Sequence, residues 1–539
     1  MKMQNVGPIG KVTGSCTWLF DEDRNWSFLI DCGMQQGEFT EKDWNQGLYW
    51  PFKPSEIQFV ILTHAHIDHC GLIPLLYKKG FKGRVICTQE TADIAKILLK
   101  DAVNLGAAYS NADIKAINWS EPNGIGLMGK FHPIGQDLFL RFYRTSHLIG
   151  AVSAAIYWGK PIPGQQKSIV FSGDIGPSME DQEYLPFNRH VMIPGDKQPF
   201  NYAVIESTYG GVVREADLTC CISRFARIKE LLDKILLTNG TLLLPSFSLG
   251  RAQDLLFDLH WVINSEPEKY GEIEILLDSP TARKINPIFI KAMQRTEVGG
   301  KGLKKVRPLW LGKQMFRWFD LDDCEPAHID KMDDIIRQCL GAKPKHEYDP
   351  TIGNETAKNW KSRLTLVEKR AELFNQSNKP RVVVASSGSC DGGAVAQWLG
   401  MVLKSERNIV ALTGYSSASS VGGQLHTLSE IETRERRRHS GVLSWDGQAQ
   451  DVKIRDIQAE ITSLRGYSGH ADQKGLINWL FWKFKSEDWC KTASEVFIQH
   501  GDDRNRDKLE SAIMEFSVAA DCPIRVVKPS SSNNIFDLG

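Results

Sequence analysis

Three histidines and an aspartate fall within six residues of this chain, as His64, His66, Asp68 and His69 in the segment Thr63–Gly71 (THAHIDHCG). Histidine is scarce, 13 in 539 residues, so composition does not account for the cluster. Imidazole and carboxylate together suit zinc, and a site that keeps coordination positions open to water supports hydrolysis. The segment follows the apolar run Ile57–Thr63 (IQFVILT). A strand end turning into a loop aims alternate side chains at one point. Other apolar runs also end on a carboxylate: Asp31 in LIDCG, Asp174 in FSGDIG and Glu206 in IESTYG. Short loops hold His147 in TSHLIGA, His470 in GYSGHAD and His500 in IQHGDD. Taken alone, His147 reads as an ordinary loop histidine.

The elements that must position these groups are legible as apolar runs. Ser27–Cys32, Ile57–Thr63, Arg84–Thr88, Leu138–Tyr143, Ser168–Asp174 and Tyr202–Ser207 read as strands, and Thr91–Ala102 as a helix. From about residue 213 helices alternate with strands. Helices are expected at Arg224–Leu237 and Arg251–Asn264, and strands at Thr241–Pro245, Glu274–Asp278, Arg381–Ala385 and Asn408–Thr413. That is the texture of a parallel sheet with crossover helices. Residues 296–380 are charged and weakly patterned and read as an elaboration, a plausible partner surface. Glu432–His439 (ETRERRRH) is one dense basic run, a solvated face or a nucleic-acid contact, and Ser530–Asn534 reads as a frayed tail.

Composition sets outer limits. The chain is 42% hydrophobic and 24% charged, with 65 basic and 65 acidic residues, so its net charge is zero. That balance argues against a uniformly basic nucleic-acid surface and leaves room for a local positive channel. Eleven cysteines without a Cys-X-X-Cys pair fit a reducing compartment. No apolar run approaches the length of a membrane span, and the expectation is a cytoplasmic protein with no membrane partner.

The order Asp31, His64-X-His66-X-Asp68-His69, His147, Asp174 resembles the motifs of the metallo-β-lactamase superfamily. Glu206, His470 and His500 resemble the further motifs of its β-CASP nuclease branch, as do PSFSLGRAQDLL, DSPTA and SSGSCDGG. The resemblance runs in order from about Gly7 to about Leu509. It implies an α/β architecture: an αββα metallo-β-lactamase domain from residues 1–212 and 429–539, with a Rossmann-like β-CASP domain, 213–428, inserted, and the active site in the cleft between them. It also implies two Zn2+ per chain. One zinc falls to His64, His66 and His147, the other to Asp68, His69 and His500, with Asp174 shared. Asp31 supports the ligand loop, and His470, oriented by Glu206, donates a proton to the leaving 3′-oxygen. Small loops satisfy oxyanions, so Ser468 and the backbone of Ser386, Ser387 and Gly388 read either as phosphate contacts or as plain turns.

The implied activity is metal-dependent hydrolysis of single-stranded RNA, endonucleolytic in preference to exonucleolytic. Histidine at position 500 favours RNA, because DNA-repair members of the branch carry an aliphatic residue there. Ser419 and Ser420 stand where RNA-cleaving relatives have Gly-Thr, and Gly388-Ser389 where they have Gly-Met, which bears on cutting preference and not on the metal ligands. The rival readings are a DNA nuclease of the same fold, a non-catalytic RNA-binding subunit of a processing complex, and a small-molecule ester or thioester hydrolase. A protein partner or a homodimer is a further expectation.

Overall fold

The computed structural model describes residues 1–36, 42–122, 130–160, 165–178, 185–195, 198–215, 220–297, 307–347, 349–374, 379–445, 451–483 and 488–539. They divide into two compact units. The first comprises Met1–Gln182, His190–Arg214 and Gly469–Gly539; the second comprises Glu183–Arg189 and Glu215–Ser468.

In the first unit, two seven-stranded sheets carry the site. One runs Ile535–Asp537, Lys2–Asn5, Thr17–Asp21, Trp26–Ile30, Phe59–Ile61, Arg84–Ile86, Asn118–Ser120. Its last four strands are mutually parallel. Phe59–Ile61 lies between neighbours and is buried throughout, which is why it reads as a continuous apolar run and not an alternating one. The helix Gln89–Asn104 is capped by the Thr88 side chain, which accepts from the Thr91 N–H at 3.1 Å.

The second sheet runs Arg525–Val527, Ala493–Ile498, Phe200–Ile205, Lys167–Phe171, Val152–Trp158, Leu138–Arg144, His132–Gly135. Side chains of Ala493–Ile498 alternate between faces. Val496 and Ile498 join a core with Leu476, Trp479, Leu480, Leu509 and Ile513 of the helices Gln473–Leu480 and Asp503–Ala519. Phe497 turns the other way, onto Phe536 of the first sheet, with ring centroids 4.8 Å apart. The layers are therefore helix, sheet and sheet, as the αββα expectation requires on this side.

In the second unit, the sheet is wholly parallel and six-stranded: Leu364–Leu366, Glu274–Asp278, Arg381–Ala385, Thr241–Pro245, Ile409–Leu412, Glu460–Ser463. Helices Cys221–Thr238, Arg251–Ser265, Pro280–Met293, Ala394–Val402 and Val421–Ser429 accompany it.

Two expectations change and a third is extended. The chain does not leave the second unit at 429, because Glu460–Ser463 completes that unit's sheet and Ile457, Ala459 and Ile461 share a core with Val410, Leu412 and Leu425. The elaboration 296–380, weakly patterned in sequence, also supplies a strand, because Leu364–Leu366 forms the edge strand beside Glu274–Asp278. The tail is not frayed: Asn534 O accepts from the Asn5 N–H at 3.0 Å, and Ile535–Asp537 pairs with Lys2–Asn5. Strands of three or four residues leave no period to read; only their partners identify them. In the basic run, Arg436 is buried and donates to the carbonyls of Leu428, Ile431 and Ala459, so that cation serves the fold.

The second unit also buries an ion pair. Arg224 Nε donates to Asp258 Oδ2 at 2.7 Å with both side chains fully buried, and the Tyr467 hydroxyl donates to the same oxygen at 2.7 Å. Changing Asp258 to Ala strands the guanidinium, and urea unfolding is expected to report a loss of about 3–5 kcal/mol.

Candidate metal centre

All seven side chains expected to bind metal lie in the first unit and converge. Ligand atoms of His64, His66, His147 and Asp174 fall within 4.8 Å of one another, and so do those of Asp68, His69 and His500. The Asp174 carboxylate divides between the two groups. Its Oδ2 lies 3.4 Å from His64 Nε2 and 3.5 Å from His147 Nε2, while its Oδ1 lies 3.3 Å from His69 Nε2 and 3.6 Å from His500 Nε2. His66 Nδ1 sits 3.1 Å from His64 Nε2 and 3.0 Å from His147 Nε2, and Asp68 Oδ2 sits 3.8 Å from His500 Nε2.

Hydrogen bonds on the far side of the rings set which nitrogen is bare. His69 Nδ1–H donates to Asp31 Oδ2 at 2.7 Å, and His147 Nδ1–H donates to the Gly469 carbonyl at 2.5 Å. The Thr63 hydroxyl donates to Asp31 Oδ2 at 2.9 Å, so its lone pair accepts from His64 Nδ1–H at 3.1 Å. Three imidazoles are thereby turned with Nε2 toward Asp174. Lone pairs facing a carboxylate repel unless a cation lies among them, and a protein-held Nδ1–H is the usual support of a metal-binding histidine. Among the described residues, buried His69 Nε2, His500 Nε2 and Asp174 Oδ1 have no hydrogen-bond partner, as expected of atoms reserved for a cation. The donor set fits two metal ions, each offered imidazole nitrogens and one oxygen of a shared carboxylate.

Electrostatics agree. Burial pushes His64 and His147 well below the ordinary imidazole value and His66 down to about 4. Burial opposes charge on His69 too, yet Asp174 and Asp31 on either side hold it well above that value, so this position favours positive charge. Burial alone would raise Asp174; the surrounding imidazoles, His69 first, hold it well below the usual carboxylate range.

Glycine and left-handed backbone build the loops. A Cβ at Gly33 would lie 1.6 Å from the Asp68 carbonyl oxygen, and one at Gly176 would lie 1.8 Å from the Ser146 carbonyl oxygen. The glycines that follow Asp31 and Asp174 by two residues thus let each ligand loop rest against a strand end. Asp31, Ser146 and His500 themselves adopt φ of 57°, 61° and 49°. Non-glycine residues held in this region concentrate where a site over-determines its backbone.

Beside the cluster stands a histidine–carboxylate pair. His470 Nδ1 is 3.2 Å from Glu206 Oε2, and Glu206 Oε1 accepts from the Ile175 N–H. Burial lowers the affinity of His470 for a proton, but the Glu206 carboxylate outweighs it and raises the imidazole above its ordinary value. Two residues that sequence reasoning passed over support this loop. Arg214 Nη1 donates to the His470 carbonyl at 2.8 Å, its backbone N–H donates to Asp472 Oδ2 at 3.0 Å, and its guanidinium lies 5.1 Å from the Tyr209 ring. Tyr209, three residues after Glu206 in IESTYG, meets the His470 ring edge-on at 5.9 Å. The Gly469 carbonyl ties His147 to this same loop. The four expected phosphate contacts, Ser386, Ser387, Gly388 and Ser468, belong to the second unit.

Asp31 reaches the cluster through His69 and Thr63. Asp31→Asn removes the charge that His69 leans on, and metal affinity measured against a competing chelator is expected to fall about 10- to 100-fold.

Residues 10–133 match the metallo-β-lactamase superfamily, 252–425 the β-Casp domain, and 454–523 the Zn-dependent metallo-hydrolase RNA specificity domain. Ribonuclease TTHA0252 of Thermus thermophilus is 25% identical over 501 residues, covering 89% of this chain and 90% of that protein. Transcription termination factor FttA of Methanococcus maripaludis is 24% identical over 86% of this chain but only 62% of its own length. An RNase J-like protein of Methanocaldococcus jannaschii is 25% identical over 85% of both chains. Among the described residues no helix is long and apolar enough to cross a membrane. Three family matches in chain order, on a fold whose first unit gathers these donors, make this chain a β-CASP metallo-hydrolase of the metallo-β-lactamase superfamily.

Proposed function

We propose that the protein is a zinc-dependent ribonuclease that hydrolyses phosphodiester bonds of single-stranded RNA, cutting internally. The observation that carries this reading is the shared Asp174 carboxylate, one oxygen facing each group of imidazoles, with the His470–Glu206 pair alongside. His64, His66, His147 and Asp174 would hold one Zn2+, and Asp68, His69, His500 and Asp174 the other. Two bound zinc ions supply an acidified water as nucleophile and neutralise charge on the phosphoryl oxygens.

The protein's own groups do the rest. Asp31 and Thr63 keep His69 and His64 turned toward Asp174. Glu206 holds His470 through Nδ1 and stabilises its protonated form, leaving Nε2–H to protonate the departing 3′-oxygen. Arg214 and Tyr209 restrain the His470 loop so that this proton stays aimed. His500 and the match of residues 454–523 to an RNA specificity domain favour RNA over DNA.

Matched RNA and DNA oligonucleotides, labelled at either end, test the reading. Cleavage of RNA at internal positions by protein carrying two zinc ions per chain is the expected result. DNA cut as readily as RNA would transfer the assignment to a DNA nuclease, and two bound zinc ions with neither polymer cut would sink it.

A further inference from the structure

At the carboxyl ends of adjacent parallel strands in the second unit, two aromatic side chains are left facing solvent. Phe247 follows Thr241–Pro245 and is 45% exposed; Tyr415 follows Ile409–Leu412 and is 74% exposed. Exposed apolar residues occur singly over any protein surface and mean little by themselves. These two differ in what surrounds them. The Arg251 guanidinium lies 5.0 Å from the Phe247 ring, with Nε donating to the Tyr467 carbonyl at 3.3 Å. The same guanidinium presses on Gly414, where an added Cβ would sit 2.3 Å from Nη1, so only glycine lets the arginine reach the residue before Tyr415. A Cβ at Gly388 would meet the Phe247 ring and backbone at 3.0 Å. Phe247 is thus seated between Gly388 and Arg251, with the rest of its ring open.

The frame beneath is stiff. The Thr413 hydroxyl donates to the Pro245 carbonyl at 2.5 Å, tying together the two strand ends that carry the aromatics. His426 Nε2–H donates to the Gly414 carbonyl at 3.1 Å, which gives a task to a histidine that matched no motif. The Gly422 N–H donates to the Ser389 carbonyl at 2.8 Å, and the Val421 N–H to Asp391 Oδ1 at 2.8 Å, lacing the 386–391 loop to the neighbouring helix. In open α/β sheets the carboxyl ends of the strands are where ligands bind.

We infer that Phe247 and Tyr415 are stacking platforms for unpaired bases of the RNA strand, with Arg251 supplying the positive charge between them; this rests on the ribonuclease reading. Every base has a π-face, so aromatic platforms grip single strands with little regard to sequence, while a cation beside them attracts the backbone. Stacking requires unpaired bases, so these two residues select single-stranded over duplex RNA.

The test uses the zinc-loaded protein and a 12-nucleotide unstructured RNA in which each position in turn is made abasic. Phe247→Leu keeps an apolar side chain against Gly388 while losing the ring, and Tyr415 is changed to Phe and to Ala. For wild type, abasic substitution at one or two positions is expected to raise KM about 5- to 150-fold. Phe247→Leu and Tyr415→Ala are expected to raise KM similarly on intact RNA and to lose sensitivity at one abasic position each, with Tyr415→Phe behaving as wild type and zinc content unchanged. Equal sensitivity to abasic positions in wild type and variants overturns the stacking role while leaving the ribonuclease reading in place. Failure of wild type to bind or cut any RNA overturns both.

Discussion

Changing His470 to Ala is expected to lower RNA cleavage by about 10²- to 10⁴-fold while leaving two zinc ions bound. The imidazole contacts Glu206 at 3.2 Å and stands 3.9 Å from Asp174 Oδ2, near the metal donors without belonging to either group of ligands. On the proposed reading its loss removes the proton donor and leaves both groups of zinc-holding side chains in place. A leaving group that needs no protonation separates the two roles. RNA with a bridging 3′-sulfur at the cut site leaves as a stable thiolate and is expected to restore most of the rate to His470→Ala. No rescue, together with lost zinc, would show that His470 acts structurally. Glu206→Gln is expected to fall between wild type and His470→Ala, because the amide still accepts a hydrogen bond from Nδ1–H but no longer favours the charged ring.

Asp174→Asn is expected to have the larger effect on the metal centre. One carboxylate serves both donor groups, and an amide offers one acceptor oxygen and an NH2 group that repels a cation. Zinc content is expected to drop below two per chain, and cleavage by at least about 10³-fold, since removal of a single fixed electrostatic contact already costs about 10²–10³. By contrast, Asp68→Ala with His69→Ala strips one group and leaves His64, His66 and His147 intact, so one zinc is expected to stay bound with cleavage lost. Retention of two zinc ions by Asp174→Asn would refute the shared carboxylate.

Much of the fold was legible because its strands are short apolar runs bounded by polar turns. Thr241–Pro245, Glu274–Asp278 and Arg381–Ala385 coincide with the observed strands, and Arg251–Ser265 exceeds the expected helix by one residue. What escaped were elements whose identity depends on a neighbour. Leu364–Leu366 and Glu460–Ser463 are strands because Glu274–Asp278 and Ile409–Leu412 supply their hydrogen-bond partners from far along the chain. Arg214 was similarly invisible, since nothing in the sequence says that its guanidinium will reach the His470 carbonyl.

The sequence by itself determined the inventory of the site: which candidate donors exist, in what order, and which of them stand at the end of an apolar run or in a short loop. Local spacing suffices there, because His64, His66, Asp68 and His69 share one strand-to-loop turn. Tertiary structure alone decided how that inventory is divided. About four-fifths of the chain separates His69 from His500, and their rings come to 4.8 Å because the loops that follow Phe59–Ile61 and Ala493–Ile498 converge. It also decided which imidazole nitrogen is bare, since Asp31, Thr63 and the Gly469 carbonyl engage Nδ1 from behind. Hydrogen-bond direction is a property of packed neighbours, and no spacing rule along the chain encodes it.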